Sequence, residues 1–455
     1  MIRWGLVLLL SGCAAFRSYD AELYTTLERA SAGSVDEAIR LLDGNNPQSD
    51  KDVLYYLELG MLQRLASRYE ESQKAWTVAS ARLQPMAPGL LGGVSDLARG
   101  ISSYVVNEKL RAYPGYDYEK VMLLTYMALN HLALGDYDNA RVAIKQAHEL
   151  EAQIAELRAQ QYQEVEESAR DRGAKASFKE LNGYPIETLD TPEVNALRNG
   201  YQSALSHYLA GFIYEALGEP SLAAPGYRLA NELQPGRPLL EEALQGLDQR
   251  VAAPDDGTTD VLLIVGTGTA PALQSRQFLL PVAVGDKFIL IANAFPVMTS
   301  TSYSPPPTQV VLEGRILPVA PIASVDLMAR RRLKDDMPGI MLRATIRSTA
   351  SAMLQYQAQR ASDREHTLAM AIAAGVFTLG SALLASADDR TWRALPSEVS
   401  IARGRLPRGT GRVTLHTLEG ERSAEVTLSG RYAVVDLRLL RHQLFVNAPR
   451  PRADR

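Results

Sequence analysis

From residue 20 to 250 the apolar positions recur at intervals of three and four, with few alternating stretches, and this period predicts helices throughout. The pattern changes near Pro254-Asp255-Asp256-Gly257. Val261–Val265, Gln277–Val282, Lys287–Asn293 and Gln309–Leu317 are short β-branched or alternating runs broken by glycine and proline, which predicts strands. Residues 339–360 return to a helical period and 367–387 form an uncharged apolar stretch. Strand patterns resume at Glu398–Arg403, Gly411–Thr417, Ala424–Leu428 and Tyr432–Leu437. The second half therefore reads as α+β, with two helices inserted between two groups of strands.

The helical half also repeats itself. Leu59-Gly60, Tyr69, Trp76 and Ala79 are followed by Ala128, Gly135, Tyr137, Ala140, Ile144 and Ala147, and Tyr137 lies 68 residues after Tyr69. A third copy comprises Gly211, Tyr214, Gly218, Ala223, Tyr227, Ala230 and Pro235. Small residues let paired helices approach, glycine turns the chain, aromatics fill the groove between units and proline stops the second helix. The spacing of 68 is two 34-residue units, and the positions match those of a tetratricopeptide repeat. The third copy begins 83 residues after the second, 15 more than two units. The excess falls in the charged segment 146–172, where Leu150, Ile154, Leu157 and Val165 form one stripe. That predicts a prolonged helix, either a longer core helix with a solvated face or a partner-binding arm. Residues 173–198, with Gly183, Pro185 and Pro192, read as a loop.

With 455 residues, 46% of them apolar and 22% charged, the chain is long enough for two or three domains and is neither disordered nor fibrous in composition. The net charge of −4 argues against a dedicated nucleic-acid binder. It conceals an asymmetry: residues 1–250 carry 24 basic and 34 acidic side chains, and residues 251–455 carry 24 and 18. Two differently built domains, 13–250 and 251–455, would leave such a shift. Cys13 is the only cysteine, so no intrachain disulfide can form. Its setting is informative. Met1-Ile2-Arg3 gives a short positive start, Leu6–Leu10 an apolar run, and Leu10-Ser11-Gly12-Cys13 resembles a bacterial lipobox. Residues 1–12 are then a signal peptide, and Cys13 carries the lipid of an anchored, non-spanning protein. Ala14, where an aspartate would retain the protein at the inner membrane, points to the outer membrane and a periplasm-facing position.

Longer runs carry a family resemblance. They are Tyr113-Pro114-Gly115, Tyr118-Glu119-Lys120-Val121-Met122, Thr125-Tyr126-Met127-Ala128-Leu129-Asn130 and Tyr208–Ala216. In the second half, Gly268-Thr269-Ala270-Pro271, Ile291–Pro296, Asp389-Arg390-Thr391-Trp392, Leu395-Pro396 and Ile401-Ala402-Arg403 join them. Together they resemble an uncharacterised family of Gram-negative envelope lipoproteins with tetratricopeptide-like helices, over most of the mature chain. Asn293 departs from the family by interrupting its Ile-Ala-Phe-Pro motif. The resemblance implies location and architecture and no catalytic activity. It also implies envelope protein partners, among them components of peptidoglycan synthesis.

The residues themselves offer little chemistry. The six histidines (131, 148, 207, 366, 416 and 442) form no H-E-x-x-H or other ligand spacing, and no G-x-S-x-G elbow is present. Gly266-Thr267-Gly268 follows an apolar strand but lacks the third glycine of a phosphate-binding turn. Asp388-Asp389 are adjacent carboxylates, which reads as a solvated helix end. From Arg390 onward stand 13 arginines, no lysine and 6 acids, an excess suited to anionic glycans, to lipid or to the acidic helical half. The stretch Thr367–Ala387 is long enough to cross a bilayer, but strands of one domain flank it on both sides, which predicts a helix buried against 339–360. The sequence therefore predicts a multidomain protein, an all-α tetratricopeptide-like solenoid followed by an α+β domain. It predicts a non-enzymatic scaffold without catalytic residues, metal or cofactor, with Tyr113, Tyr116 and Tyr118 as candidate partner contacts on the solenoid. The alternatives are a cell-wall- or glycan-acting enzyme with a helical positioning arm, and a subunit of an export or surface-structure complex.

Overall fold

The computed structural model describes residues 18–83, 112–171, 181, 183–284, 287–299, 305–365 and 386–449. Cys13, the segment 1–12 and nearly all of 367–387 lie outside the described residues. A helical region comes first, and a sheet-containing region follows. The helices are α1 (Tyr19–Ser31), α2 (Val35–Asn45), α3 (Val53–Leu65), α4 (Tyr69–Arg82), α5 (Asp117–Ala133) and α6 (Tyr137–Asp171). After them come α7 (Pro192–Ala196), α8 (Ala204–Ala216), α9 (Pro220–Leu233), α10 (Pro238–Leu244) and α11 (Leu247–Ala252).

Three helical hairpins, α3–α4, α5–α6 and α8–α9, are built alike. Each turns on a residue in the left-handed region: Ser67 (φ 56°), Gly135 (φ 74°) and Gly218 (φ 79°). The same pair of backbone bonds closes each turn, as in Arg68 N to Gln63 O, Asp136 N to His131 O and Glu219 N to Tyr214 O. Sixteen residues separate the small residue on the first helix from its large partner on the second. A Cβ on Gly60 would lie 2.2 Å from Trp76 Nε1, and one on Gly211 would lie 2.6 Å from Tyr227 Cδ1. Ala128 and Ile144 hold the same places, fully buried, in the middle hairpin. The charged segment 146–172 is the continuation of α6, which runs unbroken for 35 residues. Ile154, Gln161 and Val165 on it are buried, so it is a longer core helix with one solvated face. Within the expected loop 173–198, Pro192 starts the short helix α7, capped by Thr191 Oγ1 accepting from Val194 N at 3.3 Å.

The strands are β1 (Thr258–Thr267), β2 (Leu273–Val284), β3 (Lys287–Met298), β4 (Gln309–Leu312), β5 (Arg315–Leu317) and β6 (Val319–Ser324). Helix α12 (Val325–Glu365) follows, then β7 (Glu398–Pro407), β8 (Gly409–Thr417), β9 (Gly420–Leu428), β10 (Tyr432–Leu440) and β11 (Gln443–Asn447). Five strands form one sheet in the order β11-β10-β1-β7-β6, with β1 and β10 parallel. A second sheet has the order β5-β4-β8-β9, and β2 with β3 makes a separate ribbon. The five-stranded sheet lies between two layers. Strand alternation sends Val261, Leu263 and Val265 toward the four-stranded sheet, where they meet Val310, Val413 and Val426. It sends Leu262 and Ile264 into one core with Leu57, Leu129 and Phe212 of the helices. Helix gives way to strand between Ala252 and Thr258, yet the core runs across that change without interruption.

The helix predicted over 339–360 is part of α12, which starts at Val325 and passes through Pro338. Proline removes one main-chain bond there. Around it, Leu333, Met337 and Met341 are buried, and Arg330–Asp326, Arg331–Asp335 and Arg332–Asp336 pair one turn apart, which holds the helix continuous.

Candidate functional site

The densest chemistry in the described residues lies at the seam between helices and sheet. Arg64 and Glu215 occupy equivalent positions, four residues after Gly60 and Gly211, and both side chains turn toward the sheet. Arg64 Nε and Nη2 donate to Asp436 Oδ2 of β10 at 3.1 and 2.9 Å, and its Nη1 reaches Asn130 Oδ1 on α5. Glu215 meets the opposite sign. Arg403 of β7 donates to Glu215 Oε1 at 2.8 Å, to both oxygens of Asp260 at 2.8 Å and to Tyr227 Oη at 3.0 Å. Hydrogen bonds from Arg250 and Arg403 hold the Glu215 carboxyl below the usual range despite its burial. The first hairpin thus presents a cation to a sheet carboxylate, and the third presents a carboxylate to a sheet cation.

Between these pairs runs 388–397, a segment with little regular structure that is nevertheless mostly buried. Its successive N–H groups have no ladder to join, and two helix carboxylates accept them. Glu119 Oε1 accepts from Trp392 N at 2.7 Å, while Glu58 accepts from Arg393 N at 2.7 Å and Ala394 N at 3.0 Å. Glu119 also closes the first turn of α5 by accepting from Tyr116 N at 2.9 Å. The Trp392 indole meets Trp76 edge-on at 6.0 Å. Arg393 Nε pairs with Asp20 at 2.9 Å, which ties α1 to the same segment.

Burial pushes Glu58 up to about 8, against the N–H donors of Arg393 and Ala394, and burial also raises Glu119. Glu398 rises to about 7 for the same reason. A carboxyl whose folded pKa exceeds its unfolded value holds its proton more tightly when folded, so its contribution is complete below the unfolded value and is lost as pH climbs through the folded one. His148, driven down to about 3 by burial and by His207, acts in the opposite direction, but only below its ordinary 6.5. Between pH 6.5 and 8 the stability should therefore fall with pH, Glu58 contributing up to about 1.4 kcal/mol per unit. Urea melts of wild type and Glu58→Gln across this range measure it. A difference between the two that does not change with pH would remove Glu58 as the source.

The tyrosines proposed as partner contacts do not reach the surface. Tyr113, Tyr116 and Tyr118 are all buried. Tyr113 Oη donates to Glu119, the ring of Tyr113 meets that of Tyr116 edge-on at 5.7 Å, and the Arg332 guanidinium lies 3.7 Å over the Tyr116 ring. Their aromatic area fills the helix side of the seam, because the sheet and segment 388–397 occupy the space a partner would need. The arginine excess resolves in part toward the helical half: Arg403 and Arg393 pair with Glu215 and Asp20, and Arg431 donates to the carbonyls of Arg250 and Val251. Arg405 and Arg408 pair outside with Asp256 and Asp255.

The remaining motifs are structural as well. Thr267 O, at the end of β1, accepts from Ser397 N at 2.9 Å and from Ser397 Oγ at 2.9 Å, so Gly266-Thr267-Gly268 is a strand end followed by a turn. Asp388 pairs with Arg390 at 2.8 Å and does not end a helix. Two contacts of the histidines are not legible from spacing: His207 Nε2 lies 2.8 Å from Glu151 Oε2, and the His148 ring stacks on that of His207 at 4.2 Å, joining α6 to α8. Among the described residues no group of three His, Cys, Asp or Glu side chains is placed to hold a metal ion. A shallow depression of about 500 Å³ on the four-stranded sheet has two acids, Glu313 and Glu425, among its lining residues. Glu313 is engaged there as the acceptor for Arg412 N. No helix among the described residues is long and apolar enough to cross a membrane. Compared with models of known families, with characterised proteins and with solved structures, the chain matches none.

Proposed function

We propose that the chain is a lipid-anchored lipoprotein of the outer membrane, facing the periplasm, that serves envelope assembly as a non-enzymatic protein-binding scaffold. The observation that carries this reading is Leu10-Ser11-Gly12-Cys13 at the end of a short apolar run. The helical half is read as a tetratricopeptide-like solenoid. Its support is the common plan of the three hairpins: the same turn, and the same sixteen-residue spacing between small and large contact residues. Buried ion pairs across the seam support a rigid platform, since they fix the helices to the sheet at several points. The chain's own sheet and segment 388–397 fill the inner side of the hairpins, so a partner docks on the outer faces. The resemblance to Gram-negative lipoproteins makes components of peptidoglycan synthesis the partners to test first.

Replacing Cys13 by serine tests the anchor. The wild-type protein should take up labelled fatty acid and fractionate with the outer membrane, and Cys13→Ser should do neither. Retention of both properties by the variant would end the lipoprotein reading. Incubating the purified protein with cell-wall sacculi tests the scaffold: released fragments would replace it with the enzyme reading.

A further inference from the structure

The joints between successive hairpins are built differently. Between the first and second, α4 and α5 meet through paired polar groups: Asn130 Nδ2 donates to Ser72 Oγ at 2.9 Å, and Gln73 Nε2 lies 3.0 Å from His131 Nε2. Between the second and third, α6 and α8 meet through groups that are only partly paired. His207 Nε2 donates to Glu151 Oε2 at 2.8 Å, and both side chains are buried. The other oxygen of that carboxyl, Oε1, is closed off from solvent without a protein partner. So are His148 Nε2, Ser203 Oγ and Ser206 Oγ. Four polar atoms of α6 and the start of α8 therefore forgo hydrogen bonds that they would regain on exposure.

The rest of this joint is fastened. At its far end Arg141 pairs with Glu219 at 3.1 Å, and the last turn of α8 is held to the sheet by Glu215 and Arg403. Beyond Glu151, Arg158 fixes α6 to Asp117 on α5 and to Asp336 on α12, at 2.6 and 2.5 Å. What can give way is the first turn of α8, with residues 199–203 ahead of it. The group that decides is His148, whose ring stacks on that of His207 at 4.2 Å and 26°. A proton on His148 would set a second positive charge face to face with an imidazole already committed to Glu151. Burial, and then the charge of His207, drive His148 down to about 3, against a smaller upward pull from the Ser206 backbone. The titratable groups around it are few. Helix α8 contributes His207 and α6 contributes Glu151, while Tyr201, just before α8, comes within range of Glu151. Helix α9 packs behind α8 through Gly226, where a Cβ would lie 2.7 Å from His207 O, so it presents no charge there. Among the described residues no other charged group acts on the His148 ring.

We propose that the stacked pair His148–His207 is an acid-sensitive latch between the second and third hairpins: a proton taken up by His148 releases the first turn of α8 from α6, while the seam to the sheet stays closed. The direction follows from linkage. Once released, His148 regains its ordinary 6.5, so the latch is at full strength above that value and weakens as pH falls below it. Each opening takes up one proton. The opening constant therefore rises toward tenfold per pH unit, about thirtyfold between about pH 7.5 and 5.0.

Hydrogen exchange of the full chain, followed by mass spectrometry at about pH 7.5 and 5.0 and corrected for the intrinsic rate at each pH, tests the latch. The backbone amides of 207–210, whose bonds close the first turn of α8, should open about thirtyfold more often at the lower pH. Those of 57–62 on α3 should stay unchanged. In His148→Phe, which keeps a ring to stack on His207 but takes up no proton, the difference should vanish. His148→Gln, with neither ring nor charge, should lose it as well. Equal opening at the two pH values in wild type would overturn the proposal, as would an undiminished acid response in both variants. A parallel rise on α3 would overturn it too, since acid would then be acting on the whole fold.

Discussion

Truncating Arg403 to alanine should destabilise the protein by about 3–5 kcal/mol, the cost of leaving a buried charge without its partner. The guanidinium serves two carboxylates on different layers: Asp260 on β1, and Glu215 on α8. Glu215 keeps Arg250 and the Tyr227 hydroxyl after the truncation, and so remains compensated. Asp260 does not, because both of its bonds to a cation come from Arg403. Arg403→Ala combined with Asp260→Asn should therefore recover part of the loss, whereas adding Glu215→Gln should recover less. Arg403→Lys should also fall short of wild type, since an ammonium cannot reproduce the forked contact to Asp260. Denaturant midpoints of the variants measure this. A loss below about 1 kcal/mol for Arg403→Ala would mean that water replaces the guanidinium and that the seam is not dry.

The sequence discloses the parts of this architecture that depend on local period. The helical half, the mid-chain change to strands and the three hairpins follow from spacing alone, because a small and a large residue sixteen apart meet where two antiparallel helices pair, as Gly60 with Trp76, Ala128 with Ile144 and Gly211 with Tyr227. Most strand positions follow from alternation, but the run Gln309–Leu317 is the hairpin β4–β5 turned at Glu313-Gly314, and β6 and β11 carry no run that alternation picks out. Strands β1 and β7 extend several residues further than their apolar runs. These extensions are polar residues such as Thr258 and Thr259 on β1 and Arg405 on β7, paired across the ladder at the sheet end. Pro338 conceals the first turns of α12 for a different reason. A proline inside a helical period reads as a boundary, and only tertiary burial of Leu333, Met337 and Met341 overrides it.

The seam was not legible, because its partners are far apart in the chain. Arg64 and Asp436 are separated by 372 residues, and Glu58 and Arg393 by 335. In isolation each looks like a surface charge on a helix or a strand. One signal was present. Arg64 and Glu215 fall at the same repeat position, where a residue facing inward is expected to be apolar, and a charge there demands a partner from outside the repeat. The tyrosines of 113–118 were misplaced for a related reason. Aromatics before a helix suit either a binding groove or a core, and the choice depends on whether another part of the chain fills that groove. Here Trp392 and its neighbours do so.

Trp392→Ala should produce a loss of similar size, about 3–5 kcal/mol, through a different mechanism. The indole is fully buried, in a segment with almost no regular hydrogen bonding of its own, and it meets Trp76 on the second helix of the first hairpin. Removing it opens a cavity where helix and sheet join, and Trp76 then loses its edge-on neighbour. The three carboxylate contacts from Glu58 and Glu119 to main-chain N–H groups should persist, because they do not involve the side chain. Collapse is therefore restrained, which places the expected cost at the upper end of the range. Trp392→Phe keeps most of the aromatic area and should cost less than half as much. The measurement is a pair of urea melts, followed by near-ultraviolet circular dichroism to report the Trp76 environment. A truncation that leaves the midpoint within about 1 kcal/mol of wild type, with the Trp76 signal unchanged, would show that the segment is held by Glu58 and Glu119 alone.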